Sequence, residues 1–138
     1  MKIVGPYPAV TDPELLNTLL EFVGFESKTK YSWESYLTSL DFIYTAIDNG
    51  TPVGIGAAMT DGNDCYIISV CVHPDYQRRQ IGRGIIEQVV KTAKERGYAR
   101  ARLNVPKRNP SVKEFYKKLG FRSTDELAMD LNLQDEIK

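Results

Sequence analysis

The sequence predicts an α/β (α+β) domain with a mixed, mostly antiparallel central sheet flanked by helices, and three observations carry that expectation. Strand-like runs at Phe42–Ile47 and Pro52–Met59 flank Asp48-Asn49-Gly50, a strong hairpin-turn signal, and Asp61-Gly62 turns the chain into a third run at Cys65–Val72. The apolar period then lengthens to that of a helix, with Ile81, Ile85, Ile86, Val89, Val90 and Ala93 in one stripe and Gly97 as a stop. A further strand-like run, Ala101–Val105, follows that helix, so strand, helix and strand join through a right-handed parallel crossover and the sheet becomes mixed.

The remaining elements fall on either side. A short strand is expected near Lys2–Val4. Asp12-Pro13-Glu14 reads as an N-cap with proline in the first turn, and Leu15, Leu16, Leu19, Leu20 and Val23 continue it as a helix ending near Gly24. A second, shorter helix is expected from Trp33 to Leu40. Near the other end, Asn109-Pro110 caps a last helix with Val112, Phe115, Tyr116 and Leu119 on one face and Gly120 closing it, and Phe121–Leu133 is expected to form the closing strand. The chain has 138 residues, no internal repeat and no low-complexity linker, which gives one domain, 1–138.

Composition narrows the classes of function. The apolar share is 42% and the charged share 26%, ordinary for a soluble globular chain, and no window is apolar enough for a membrane span. The first residues lack the apolar core of a signal peptide, so a cytoplasmic location is expected. Cys65 and Cys71 lie six apart on one expected strand, too far to bridge, and with His73 as the single histidine no zinc or other metal site is expected. The net charge of zero is a cancellation: residues 1–69 carry three basic against nine acidic side chains, and residues 70–138 carry fifteen against nine. From Tyr76 to Arg122 fourteen basic residues face three acidic ones, which points to an anionic partner, either nucleic acid or a phosphorylated small molecule.

The segment from Val70 to Gly84, VCVHPDYQRRQIGRG, is a strand that turns through an arginine-rich, glycine-containing loop into a helix. Amides at a helix start, together with the positive end of its dipole, favour a phosphate, and Arg78, Arg79 and Arg83 add charge-assisted donors. The P-loop ending and the three spaced glycines of a dinucleotide fingerprint are both missing. What the segment resembles is the loop of the GNAT superfamily of acyl-CoA-dependent N-acetyltransferases, Gln/Arg-x-x-Gly-x-Gly/Ala, with Gln77, Gly82 and Gly84 in family positions and His73-Pro74 before them. Leu103-Asn104-Val105, Asn109 and Phe115-Tyr116-x-x-Leu119-Gly120-Phe121 look like the second signature of that family, so the resemblance covers roughly residues 65–122. Position 80 departs from the pattern, with Gln80 where the family has its first loop glycine, although Arg79-x-x-Gly82-x-Gly84 satisfies it in a shifted frame; the loop amides can still bind phosphate if Gln80 keeps a negative φ.

The resemblance implies an acetyltransferase that moves the acetyl group of acetyl-CoA, a cosubstrate, to a primary amine by direct attack in a ternary complex without a metal. It implies that the backbone of Val70, Cys71 and Val72 pairs with pantetheine, and that the loop through Gln77, Arg78, Arg79, Gln80, Ile81, Gly82, Arg83 and Gly84 holds the pyrophosphate. Asn109 is implied as a further cofactor contact beside its capping role, and Tyr116 as the general acid for the leaving thiolate. His73 reads as a turn residue, a buried strand cysteine as a small hydrophobe, and the base for the amine as water or a flanking carboxylate, Asp64 or Glu34.

On the acceptor side, seven of fourteen aromatic residues fall between positions 22 and 44, and Phe25, Tyr31 and Trp33 are expected to border a pocket for a cationic amine in the acidic half. Core packing accounts for most of these aromatics equally well. The expected partner is a small-molecule or protein amine, with neither nucleic acid nor membrane, and a homodimer stays open. A non-catalytic acyl-CoA-binding module on the same fold is the alternative.

Overall fold

The structure is a computed structural model that describes residues 1–7, 39–105 and 107–133. Within these, the chain divides into two compact units, Met1–Asn104 and Val105–Lys138. The expected helices at 12–24 and 33–40, together with Phe25, Tyr31, Trp33 and Glu34, lie wholly or almost wholly outside the described residues.

The first unit is a five-stranded sheet in the order β1 (Lys2–Tyr7), β2 (Phe42–Asp48), β3 (Thr51–Thr60), β4 (Asp64–Val72) and β5 (Arg100–Arg102), with helix α1 (Ile81–Glu95) between β4 and β5. The first three pairings are antiparallel and β4 with β5 is parallel, so the mixed sheet expected from the change of apolar period is the one observed. Each turn has a local cause. Asn49 and Gly50 both take positive φ at the β2–β3 hairpin, the geometry that matches the twist of the paired strands. At the β3–β4 turn Asp61 Oδ1 accepts the Asn63 and Asp64 amides at 2.9 and 2.7 Å, and these bonds hold the carboxyl below its ordinary pKa.

Helix α1 buries Ile81, Ile85, Ile86, Val89, Thr92 and Ala93 against one face of the sheet, where the Tyr44 hydroxyl and Thr92 Oγ1 are hydrogen-bonded. β3 presents Gly54 and Gly56 to that face, so the helix comes close to the backbone: a Cβ on Gly56 would stand 2.4 Å from Ile85 Cγ2. Side chains alternate along a strand, and the opposite face carries a second apolar cluster of Leu40, Ile43, Ile55, Ala57 and Cys71, with Met59 and Ile68 packed on it.

Two expectations are corrected in extent. β5 is three residues long instead of spanning Ala101–Val105, and its ladder runs only through Asp64↔Arg100, Cys65↔Ala101 and Tyr66↔Arg102. An ion pair fixes that short ladder, the buried Asp64 carboxylate taking Arg100 at 2.9 Å and Arg102 at 3.5 Å. In the second unit, helix α2 (Pro110–Lys118) begins on proline and stops where Gly120 turns to φ 97°. The closing strand expected over Phe121–Leu133 is not formed: the segment carries no strand, and Leu127, Met129, Leu131 and Leu133 are all at least 73% exposed. Alternating apolar residues permit a strand, yet a strand also needs an edge to pair with, which no local pattern supplies.

Candidate functional site

The site is built on the end of β4. A bulge sets it up: Ile55 pairs with Cys71 and Ala57 with Ile68, so Ser69 and Val70 together face Gly56, with Ser69 at φ 55°. Beyond Tyr66 no strand among the described residues pairs with the outer edge of β4, which leaves the backbone of residues 67–72 as a template for an extended ligand. Cys71 turns its thiol into the apolar cluster, where burial pushes it up to about 11, and burial raises Cys65 to about 11 as well. Both thiols are buried, and their raised pKa favours the protonated form at neutral pH, so the backbone of Cys71 is what it offers a ligand.

The loop after Val72 is fastened from several directions. The His73 amide donates to the Val53 carbonyl at 2.7 Å, tying the loop to β3, and His73 Nδ1 accepts the Asp75 amide at 3.0 Å, which makes it the turn residue it was expected to be. Gln77 folds back so that Nε2 donates to the Val72 carbonyl at 3.2 Å; its side chain is a strut within the loop. The Tyr76 hydroxyl donates to Asp48 Oδ2 at 2.9 Å, and that bond raises its pKa.

Arg78 and Gln80 both stand in left-handed backbone, at φ 66° and 62°. The condition of negative φ at Gln80 is therefore not met, and the reason is geometric: residue 80 is where the chain reverses from loop to helix, with its carbonyl accepting the first α1 bond from Gly84 at 3.1 Å. A left-handed residue beside a right-handed one, as Gln80 stands beside Ile81, aims successive amides the same way in the manner of an anion nest, so a left-handed Gln80 is compatible with phosphate binding. The cost falls on the residue type. Gln80→Gly is expected to stabilise the protein by roughly 0.5–1 kcal/mol, the left-handed penalty less the greater freedom of glycine in the unfolded chain. Urea unfolding checks this, and a variant less stable than the parent would contradict it.

The amides of Ile81, Gly82 and Arg83 open α1 and have no carbonyl four residues back within the helix. Gly84 has a packing duty as well, since a Cβ there would meet Ile3 Cδ1 at 2.7 Å. The arginines divide: Arg83 pairs with Glu87 at 2.7 Å, whereas Arg78 and Arg79 meet no carboxylate among the described residues. Arg79 lies over the Tyr76 ring at 5.1 Å.

In the second unit, Asn109 stands at the N-cap of α2 but makes no capping bond to a backbone amide; its Oδ1 accepts the Ser111 hydroxyl at 2.8 Å. The side-chain cap expected from Asn109 is therefore not made: its oxygen is taken by the Ser111 hydroxyl, and proline in the first turn removes one of the amides a cap would satisfy. Tyr116 lies half-buried on α2, edge-on to Phe115 and Phe121 at 5.0 and 5.6 Å, and desolvation raises its pKa. Asp64 is unsuited to act as a base. Its carboxylate is committed to Arg100 and Arg102 at the start of β4, about 25 Å by strand rise from the loop at the other end. Tyr76 and Asp48 went unnoticed as site residues in the sequence, where Asp48 reads only as a turn former.

Among the described residues no group of three or more histidine, cysteine or acidic side chains could hold a metal ion, and no helix is long and apolar enough to cross a membrane.

Known proteins resemble this chain in sequence and in fold. The family model for the acetyltransferase (GNAT) family matches residues 13–121. An uncharacterised N-acetyltransferase of Methanocaldococcus jannaschii is 35% identical over 89 residues, covering 56% of this chain and 37% of the relative. The ribosomal protein bS18-alanine N-acetyltransferase of Escherichia coli is 29% identical over 73 residues, covering 53% of this chain and 49% of the relative. The chain thus spans less than half the length of either curated relative. Among solved structures, a GNAT family acetyltransferase of Streptococcus pneumoniae superposes with a TM-score of 0.80 at 23% identity, over 97% of this chain and all of the other, which shows the shared fold. With the family model matched over residues 13–121, most of its length, the chain belongs to the acetyltransferase (GNAT) family.

Proposed function

We propose that this domain is an N-acetyltransferase that passes an acetyl group from acetyl-CoA to a primary amine by direct attack in a ternary complex. The observation that carries the reading is the outer edge of β4, without a strand partner from residue 67 onward, running straight into an arginine-bearing nest at the start of α1. A strand edge suits the paired amides of pantetheine, and a nest with two arginines suits a pyrophosphate. The residues present therefore fit the cosubstrate.

Bound acetyl-CoA supplies an acyl thioester that amines attack readily. The backbone of Val70, Cys71 and Val72 aligns the carrier, the amides from Arg78 to Gly84 hold its phosphates, and Arg78 and Arg79 neutralise charge there. Tyr116, its pKa raised by desolvation, keeps its proton through the neutral range and can give it to a departing thiolate. Asn109 offers a further polar contact. With Asp64 committed to its arginines, removal of the amine proton is left to water or Glu34. Phe25, Tyr31 and Trp33 would wall the acceptor pocket, in the acidic half that favours a cation. The E. coli relative named for an alanine of a ribosomal protein supports including protein N-termini beside small amines as acceptors.

The test is thiol release from acetyl-CoA across polyamines, amino acids, aminoglycosides and N-terminal peptides, with the buried cysteines adding no background under native conditions. Turnover restricted to amine acceptors is the expected outcome. Saturable stabilisation by acetyl-CoA with no turnover of any amine would instead identify a non-catalytic acyl-CoA-binding module.

A further inference from the structure

The loop hangs on Tyr76. Its hydroxyl reaches the end of β2 at Asp48, its amide donates to the His73 carbonyl at 2.9 Å, and its ring stands edge-on to His73 at 5.8 Å and 89°. The face of the same ring carries the Arg79 guanidinium at 5.1 Å. Arg83 is engaged by Glu87, which leaves Arg78 and Arg79 as the loop arginines without a carboxylate among the described residues, and of these Arg79 has the aromatic platform.

We infer that Tyr76 is a positioning residue, whose ring, held in place by Asp48, keeps the Arg79 guanidinium ready beside the loop amides for the anionic end of the acyl carrier. An exposed arginine left alone samples many rotamers, and freezing it opposes binding. Stacking on a fixed ring meets most of that cost before the ligand arrives. The hydroxyl bond matters because a ring free to turn would carry the guanidinium with it. This rests on the reading of the loop as a coenzyme A phosphate site.

The experiment is a double-mutant cycle read by calorimetric titration with coenzyme A, alongside kcat at saturating acetyl-CoA. Tyr76→Leu and Arg79→Ala are each expected to weaken binding about tenfold, and the double variant scarcely more than either, because the tyrosine acts through the arginine. Tyr76→Phe and Asp48→Ala keep the ring and lose the hydroxyl bond; each should weaken binding about two- to threefold beside Arg79 and leave it unchanged beside Arg79→Ala. They give the same reading should Tyr76→Leu fail to fold. In Tyr76→Phe and Asp48→Ala, which leave the loop arginines in place, kcat at saturating acetyl-CoA stays at the parent value. Losses that multiply, to about a hundredfold in the Leu and Ala double variant, would show that Tyr76 acts independently of Arg79 and overturn the inference. Parent protein that does not bind coenzyme A at all would instead overturn the phosphate-site reading, and the inference with it.

Discussion

Replacing Tyr116 by phenylalanine is expected to lower kcat by about 10²–10⁴-fold while leaving folding stability within about 0.5 kcal/mol of the parent. The two halves of that expectation have separate causes. The ring packs edge-on against Phe115 and Phe121, and phenylalanine preserves those contacts. The hydroxyl makes no hydrogen bond to any described residue, so its removal leaves no partner unsatisfied. A tyrosine placed only for packing would therefore tolerate the change in every assay. A tyrosine that protonates the leaving thiolate would fail in turnover alone. The pH dependence follows in sign: desolvation raises the pKa, the acid form is fully present below it, and kcat in the parent falls only as pH rises through that raised value. The phenylalanine variant should lose this alkaline limb and be uniformly slow. A variant with the parent's kcat across the pH range would return Tyr116 to the packing of α2.

What the sequence made legible was local. The Asp48-Asn49-Gly50 and Asp61-Gly62 turns, the stripe of α1 and the proline and glycine that bound α2 each follow from chemistry within a few residues, and each stands within a residue or two of its expected place. What was hidden depends on distance or on context. The Asp64 pair with Arg100 and Arg102 spans a crossover, so a carboxylate that looked available as a base is a clamp on the β4–β5 register. The Tyr76 bond to Asp48 joins positions 28 apart, and nothing in the spacing announces it. Gln80 misleads for another reason: side-chain type argues for negative φ, whereas the reversal into α1 demands the opposite, and the demand of the fold prevails at a cost of about 1–2 kcal/mol. The unpaired segment after Phe121 likewise turns on whether a partner edge is present, which apolar alternation does not encode, whereas β5 parts from β4 after Arg102 although the β4 edge runs on.

Gly56→Ala is expected to cost about 2 kcal/mol of stability, seen as a fall in Tm of several degrees. The added Cβ would lie 2.4 Å from Ile85 Cγ2 and 3.7 Å from Val89 Cγ2. Ile85 is fully buried and branched at Cβ, so the clashing methyl cannot swing aside without leaving its preferred rotamer, and the helix must lift instead. Gly54→Ala is a useful contrast. Its nearest neighbour is Ile85 Cδ1 at 3.0 Å, the far end of the side chain, which can shift by a few tenths of an ångström, so a smaller loss is expected. The mechanism is separable from any intrinsic cost of alanine in a strand by adding Ile85→Ala, which removes the obstructing methyl. By itself that substitution costs about 2–5 kcal/mol, but in the Gly56→Ala background it should cost less, because the clash goes with it. Strict additivity of the two would refute close helix-to-sheet contact as the cause. Lifting α1 also displaces the amides at its first turn, so under the proposed function Gly56→Ala should raise the KM for acetyl-CoA even where the variant is fully folded. A glycine in the middle of a strand, remote from the loop in sequence, thereby becomes a determinant of how the loop meets its ligand.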